Sequence, residues 1–201
     1  SLGLVGSEMC IRDRVKVCGL MGGHSGAEID KNRANANKLM GRFLYGLKKK
    51  AEYALISLTG GQKDNAITRE CTAEFLTDSV AEVKAYAKEL QEQLREEYTG
   101  SDENITFEIT EKGTATAEVL HPTSQEKIVF YLQNVPFGIQ KMSGTIKGLV
   151  ETSSNIGILR LDRDELFASS SVRSSVDAAC SALSDKIEYL TEFLGGDYEV
   201  Q

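Results

Sequence analysis

The sequence predicts an α+β fold: antiparallel sheet, in one or two lobes, with helices packed on one face. Three observations support it. Pairs of strand-like runs are followed by a helix-like run twice along the chain, without the regular βαβ alternation of a doubly wound sheet. With 41% hydrophobic and 26% charged residues among 201, the chain can bury one sizeable core or two small ones, which argues against disorder. No apolar run approaches the ~20 residues that a bilayer-spanning helix needs.

Residues 15–20 alternate apolar and polar side chains as a half-buried strand does, and the glycines that follow end the strand. From 30 to 47, Ala34, Leu39, Met40, Phe43 and Leu44 recur near helical spacing, with Asp30 as N-cap. Residues 54–58 form a compact apolar strand ending in Gly60-Gly61. Residues 66–76 read as its hairpin partner. The firmest helix spans 79–98, where Val80, Val83, Tyr86, Ala87, Leu90 and Leu94 share one face and Ser79 with Glu82 makes a capping box. A strand at 105–110 and a helix at 122–134 follow, the latter closed by Pro136 and Gly138. Residues 148–161 and 165–172 form a second strand pair around Asp162-Arg163-Asp164, then a helix runs from 174 to 193 and stops at Gly195-Gly196. Residues 114–123 and 140–148 read as exposed loops, and the last residues as the start of another strand.

A formal charge of -7 disfavours nucleic acid, whose phosphates are bound through clustered Lys and Arg. The one basic run, Lys48-Lys49-Lys50, falls at a helix C-terminus, where cations complement the dipole. Cys10, Cys18, Cys71 and Cys180 are isolated and form no C-x-x-C pair, so a reducing cytoplasm fits best. Residues 4–14 resemble a translated transposon-end sequencing adapter, so residues 1–14 are read as an artefact outside the fold. Leaving out Glu8, Arg12, Asp13 and Arg14 does not change the net charge. The chain then starts inside a strand and reads as an interior piece of a longer protein.

Chemistry concentrates at Gly22-Gly23-His24-Ser25-Gly26, where one of only two histidines is framed by glycines between strand and helix. As a nucleophile elbow the turn lacks the last glycine of G-x-S-x-G, and the base would have to be the distant His121. As a phosphate loop it lacks a Walker lysine and the dinucleotide G-x-G-x-x-G. Two distant histidines and scattered cysteines give no zinc-ligand spacing, and Asp162 and Asp164 read as solvated turn residues.

Five segments in order, Gly19-Leu20-Met21-Gly22-Gly23-His24-Ser25-Gly26-Ala27-Glu28-Ile29, Asn35-Ala36-Asn37-Lys38-Leu39, Asn65-Ala66-Ile67-Thr68-Arg69-Glu70, Lys147-Gly148-Leu149-Val150-Glu151-Thr152-Ser153-Ser154-Asn155-Ile156-Gly157 and Val172-Arg173-Ser174, resemble the aminoacyl-histidine dipeptidases, zinc exopeptidases that cleave Xaa-His peptides. The resemblance implies that residues 15–196 form the inserted lid domain and residues 197–201 begin the return to a missing catalytic domain. Two zinc ions would be held by that domain and none by this chain, which alone would be inactive. It implies a dipeptide substrate, no membrane or nucleic-acid partner, and a homodimer through the lid. By the same resemblance His24 stabilises the oxyanion, Asn65 positions polar groups of the substrate, and Arg173 clamps its C-terminal carboxylate, as a planar guanidinium can do bidentately. Three positions depart from the family pattern: Thr68 stands where proline is frequent, Ala27 where glycine is, and Asp30 where histidine is. The first is expected to alter turn stiffness only.

Overall fold

A computed structural model describes residues 2–6 and 10–201. The strands are β1 (Leu4–Gly6), β2 (Cys10–Cys18), β3 (Gly23–His24), β4 (Ala54–Gly60), β5 (Ala66–Ile67), β6 (Cys71–Thr77), β7 (Thr106–Ala115), β8 (Glu118–Leu120), β9 (Gly138–Met142), β10 (Val150–Asp162) and β11 (Glu165–Ser174). The helices are α1 (Ala36–Leu47), α2 (Val80–Glu97), α3 (Pro122–Asn134) and α4 (Asp177–Phe193). One antiparallel sheet runs β11-β10-β4-β6-β2-β7, with β9 also paired to β10, and two ribbons, β1–β8 and β3–β5, stand apart from it. The α+β class predicted from sequence is the class observed. Residues 159–161 pair with 58–60, which joins the two halves of the chain in one sheet.

Period-2 alternation gives the sheet two unlike faces. Val15 and Val17 of β2, Leu55 and Leu58 of β4, and Ala73 and Phe75 of β6 share one core cluster with Met40, Phe43 and Leu44 of α1, Val83 and Leu90 of α2, and Ile128 and Leu132 of α3. Each fully buried Val, Leu, Ile, Phe or Met among them contributes about 1.5–3 kcal/mol. Phe43 lies at the centre, with its ring centroid 5.5 Å from Tyr86 and 5.3 Å from Phe107. Alternate residues carry charge instead: Glu74 pairs with Arg12 and Lys112, and Lys16 lies 2.9 Å from Glu70.

Several local expectations are corrected. α1 starts at Ala36, not Asp30: Asn32 adopts left-handed φ 53, breaking the chain after a 3-10 turn at Ile29–Lys31. The cap is Asn35, whose side chain accepts from the Asn37 and Lys38 amides at 2.9 and 3.3 Å. Ser79 caps α2 by position, but its side chain caps no helix amide and donates to Asp78 instead. The expected hairpin partner at 66–76 is split, because β6 pairs with β4 while β5 crosses to β3. Residues 114–123 are not a free loop: β8 pairs with β1, and Val119 and Leu120 are buried. Within 140–148, the chain is still strand to Met142, through β9 against β10. Residues 197–201 carry no strand. β2 begins at Cys10 rather than Val15, so residues 10–14 of the adapter-like segment pair with β6 and β7. Residues 1 and 7–9 of that segment lie outside the described residues.

Candidate functional site

The loop between β2 and α1 is pinned from below by one carboxylate that sequence reading missed. Asp102, 1% exposed, accepts from the Met21 amide at 2.8 Å and the Ala34 amide at 2.9 Å, so both ends of the loop hang on it. Inside the loop, Arg33 Nη1 donates to the Gly22 carbonyl at 2.6 Å and to Glu28 Oε1 at 2.8 Å. Glu28 Oε2 accepts from the His24 amide at 2.8 Å. That amide, followed by the Arg33 guanidinium, holds the Glu28 carboxyl below its ordinary pKa. Gly23 sits at φ 143, and a Cβ there would stand 2.5 Å from Arg33 Nη1, so only glycine lets the clasp close.

His24 is exposed, and its orientation is set by its own loop. Nδ1 accepts from the Gly26 amide at 3.1 Å and the Ala27 amide at 3.2 Å. An imidazole nitrogen that accepts cannot carry the proton in the neutral ring, so Nε2 carries it and presents an N–H donor. Arg173, near the end of β11, reaches the same place: a Cβ built on Gly26 would lie 3.2 Å from both Arg173 Cζ and His24 Cε1. Asn65 is the third member. Its carbonyl accepts from the Ser25 amide at 2.9 Å, and the exposed residue directly precedes β5, where Ala66 pairs with His24. The three residues singled out from sequence thus meet around one turn, and among the described residues Arg173 has no carboxylate partner.

Beneath the turn lies a buried polar layer drawn from three distant segments. Asn35 Nδ2 donates to Asn155 Oδ1 at 3.0 Å and to the Ile156 carbonyl at 2.9 Å. Thr68 Oγ1 reaches the Ile156 and Gly157 carbonyls at 3.2 and 3.0 Å and accepts from Asn37 Nδ2 at 3.2 Å. Thr68 is therefore more than a substitute in a turn, because its hydroxyl ties α1 to β10, which a proline cannot do. Gly157 lies at the β10 bulge, and a Cβ there would fall 2.4 Å from the Asp64 carbonyl, so its lack of a side chain lets the loop before β5 rest on β10.

The competing chemistries fare poorly. Ser25 is 1% exposed and its hydroxyl sits 3.2 Å from Ser171 Oγ, so it is no exposed nucleophile. His121 is the N-cap of α3, where its Nδ1 accepts from the Thr123 amide at 3.2 Å. Among the described residues no group of three or more His, Cys, Asp or Glu could hold a metal ion, so the zinc implied by resemblance has no fitting ligand set here. None of the described helices is long and apolar enough to cross a membrane.

Residues 15–102 match the model of the peptidase dimerisation domain of the M20 class. The chain is 30% identical over 185 residues to the cytosol non-specific dipeptidase of Escherichia coli (strain K12), covering 91% of this chain and 38% of that protein. The crystal structure of aminoacylhistidine dipeptidase from Vibrio alginolyticus matches with a TM-score of 0.87 and 30% identity, over 97% of this chain and 40% of that one. Residues 15–102 are thus similar to an M20 peptidase dimerisation domain, the fold is similar to that of the corresponding segment of aminoacylhistidine dipeptidase, and the chain spans about two fifths of the length of these relatives.

Proposed function

We propose that this chain is the lid segment of a metal-dependent, cytosolic dipeptidase that hydrolyses Xaa-His and other short peptides. The observation that carries the reading is the convergence of His24, Asn65 and Arg173 on one turn, with the His24 proton directed to Nε2. In the reaction, Nε2–H donates to the oxygen of the scissile carbonyl as negative charge develops on it. A donor already oriented by two backbone amides needs no reorganisation at that moment. Arg173 takes the substrate's terminal carboxylate in a two-pronged charge-assisted bond, and Asn65 aligns the substrate's polar groups. The hydrolytic metal ions belong to polypeptide beyond this chain, so the chain alone is inactive. Likeness to a peptidase dimerisation domain supports pairing with a second copy as well.

The test is His24→Ala in the longer polypeptide. The expected loss falls on kcat, on the order of 10²-fold or more, with bound metal unchanged. A near-normal kcat rejects the oxyanion role. A non-catalytic pairing module predicts instead that the flanking sequence lacks the His-x-Asp metal motif and following Glu-Glu pair that the family resemblance implies.

A further inference from the structure

Asn155 touches no exposed part of the site, yet its hydrogen bonds and strand register lead toward all three of the site's members. It is 1% exposed on β10, one residue before the bulge. Its Oδ1 accepts from Asn35 Nδ2 at 3.0 Å, and its Nδ2 donates to the Asp64 carbonyl at 3.2 Å and the Ala66 carbonyl at 2.9 Å. Those two carbonyls flank Asn65. The Asn65 carbonyl in turn receives the Ser25 amide, and Ala66 pairs with His24. On its other side Asn155 is the register partner of Ser171, whose Oγ meets Ser25 Oγ, and two residues away Ser153 pairs with Arg173.

We propose that Asn155 is the positioning residue of this site: one buried amide bonds the carbonyls on both sides of Asn65 and thereby fixes where His24 stands relative to Arg173. The inference rests on the lid reading for its catalytic consequence, though not for the placement itself. The side chain must be an amide. Both carbonyls require donors while Asn35 requires an acceptor, and a carboxamide supplies two donors and one acceptor in a single plane. Aspartate has nearly the same shape but turns an oxygen toward both carbonyls, leaving them unpaired in a dry setting. No other residue type of this size satisfies all three partners.

Asn155→Asp tests this in two arms. In the present chain, hydrogen exchange followed by NMR should show the Ser25 amide exchanging at least ~10-fold faster, while the Val15 and Val17 amides of β2 keep their protection. In the longer polypeptide, kcat should fall ~10-fold or more with metal content unchanged, and the same change in a His24→Ala background should cause no further loss, since a residue acting through another is non-additive with it. Unchanged Ser25 exchange overturns the proposal, as does normal kcat in an enzyme that His24→Ala does impair. An additive double variant also overturns it, because a general loss of stability adds. Should His24→Ala prove harmless, the lid reading fails and the catalytic consequence falls with it, while the exchange arm still decides the placement. If Asn155→Asp does not fold, Asn155→Ser retains one donor and should give a smaller change in the same two readouts. Wild-type behaviour of that variant in both readouts rejects the proposal.

Discussion

Asp13 offers the sharpest test of the packing described above. It occupies an inward position of β2, in phase with Val15 and Val17, opposite Phe75 of β6 and Glu111 of β7. Its exposure is 0% and neither carboxylate oxygen has a hydrogen-bond partner. Burial raises its pKa above the ordinary aspartate value, and the Glu111 charge adds to the rise while Lys84 opposes it. An orphaned buried polar group costs about 1–3 kcal/mol. Asp13→Val removes both orphaned oxygens and supplies a branched strand former, so the chain should gain about 1–3 kcal/mol at pH 7, with Tm rising about 2–4 °C for each of those. The folded state binds this proton more tightly than the unfolded chain. The penalty is therefore complete at neutral pH and fades as pH falls through the raised value toward 3.8. Urea denaturation of both proteins in steps from pH 7 downward should show the advantage of valine narrowing with acid. A valine variant no more stable at pH 7, or one whose advantage stays constant on acidification, refutes the reasoning.

Two further outcomes follow from the site's construction. Arg173→Lys keeps the charge but loses the planar fork, so the longer enzyme should discriminate less in favour of dipeptides with a free C-terminal carboxylate; unchanged relative rates on amidated dipeptides would contradict this. Asp102→Ala strips the acceptor from the Met21 and Ala34 amides and should cost about 2–3 kcal/mol in chemical denaturation, whereas a loss within 0.5 kcal/mol, the usual range of surface substitutions, would show the loop to be held otherwise.

How much was legible in the sequence depended on how local the physics was. The helix at 122–134 was predicted to the residue, since a proline at its first position and apolar spacing are local signals. The turn at Arg163-Asp164 likewise showed in composition, and Arg163 adopts φ 54. The start of α1 did not show, because Asp30 and Asn35 are both good caps and only the left-handed Asn32 between them excludes the first. Residues 114–123 read as a polar loop, but 118–120 pair with a strand more than a hundred residues away and Val119 and Leu120 are buried. Ser171 and Asp102 carry no motif of their own that points to a site, and Asn155 lies in one of the resembling segments without a role that the segment itself reveals.

The sequence by itself determined the fold class and the principal helices, because periodicity and capping are written along one dimension, and its resemblance to a family singled out His24, Asn65 and Arg173 as candidates. Tertiary structure alone decided that those three share a turn, that His24 offers its Nε2 proton, and that a buried amide stands beneath them. The physical reason is that the shared turn and the buried amide rest on hydrogen bonds and close approaches between segments far apart in the chain, which exist only once β3, β5, β10 and β11 have been brought together, while the His24 tautomer follows from the folded shape of its own loop.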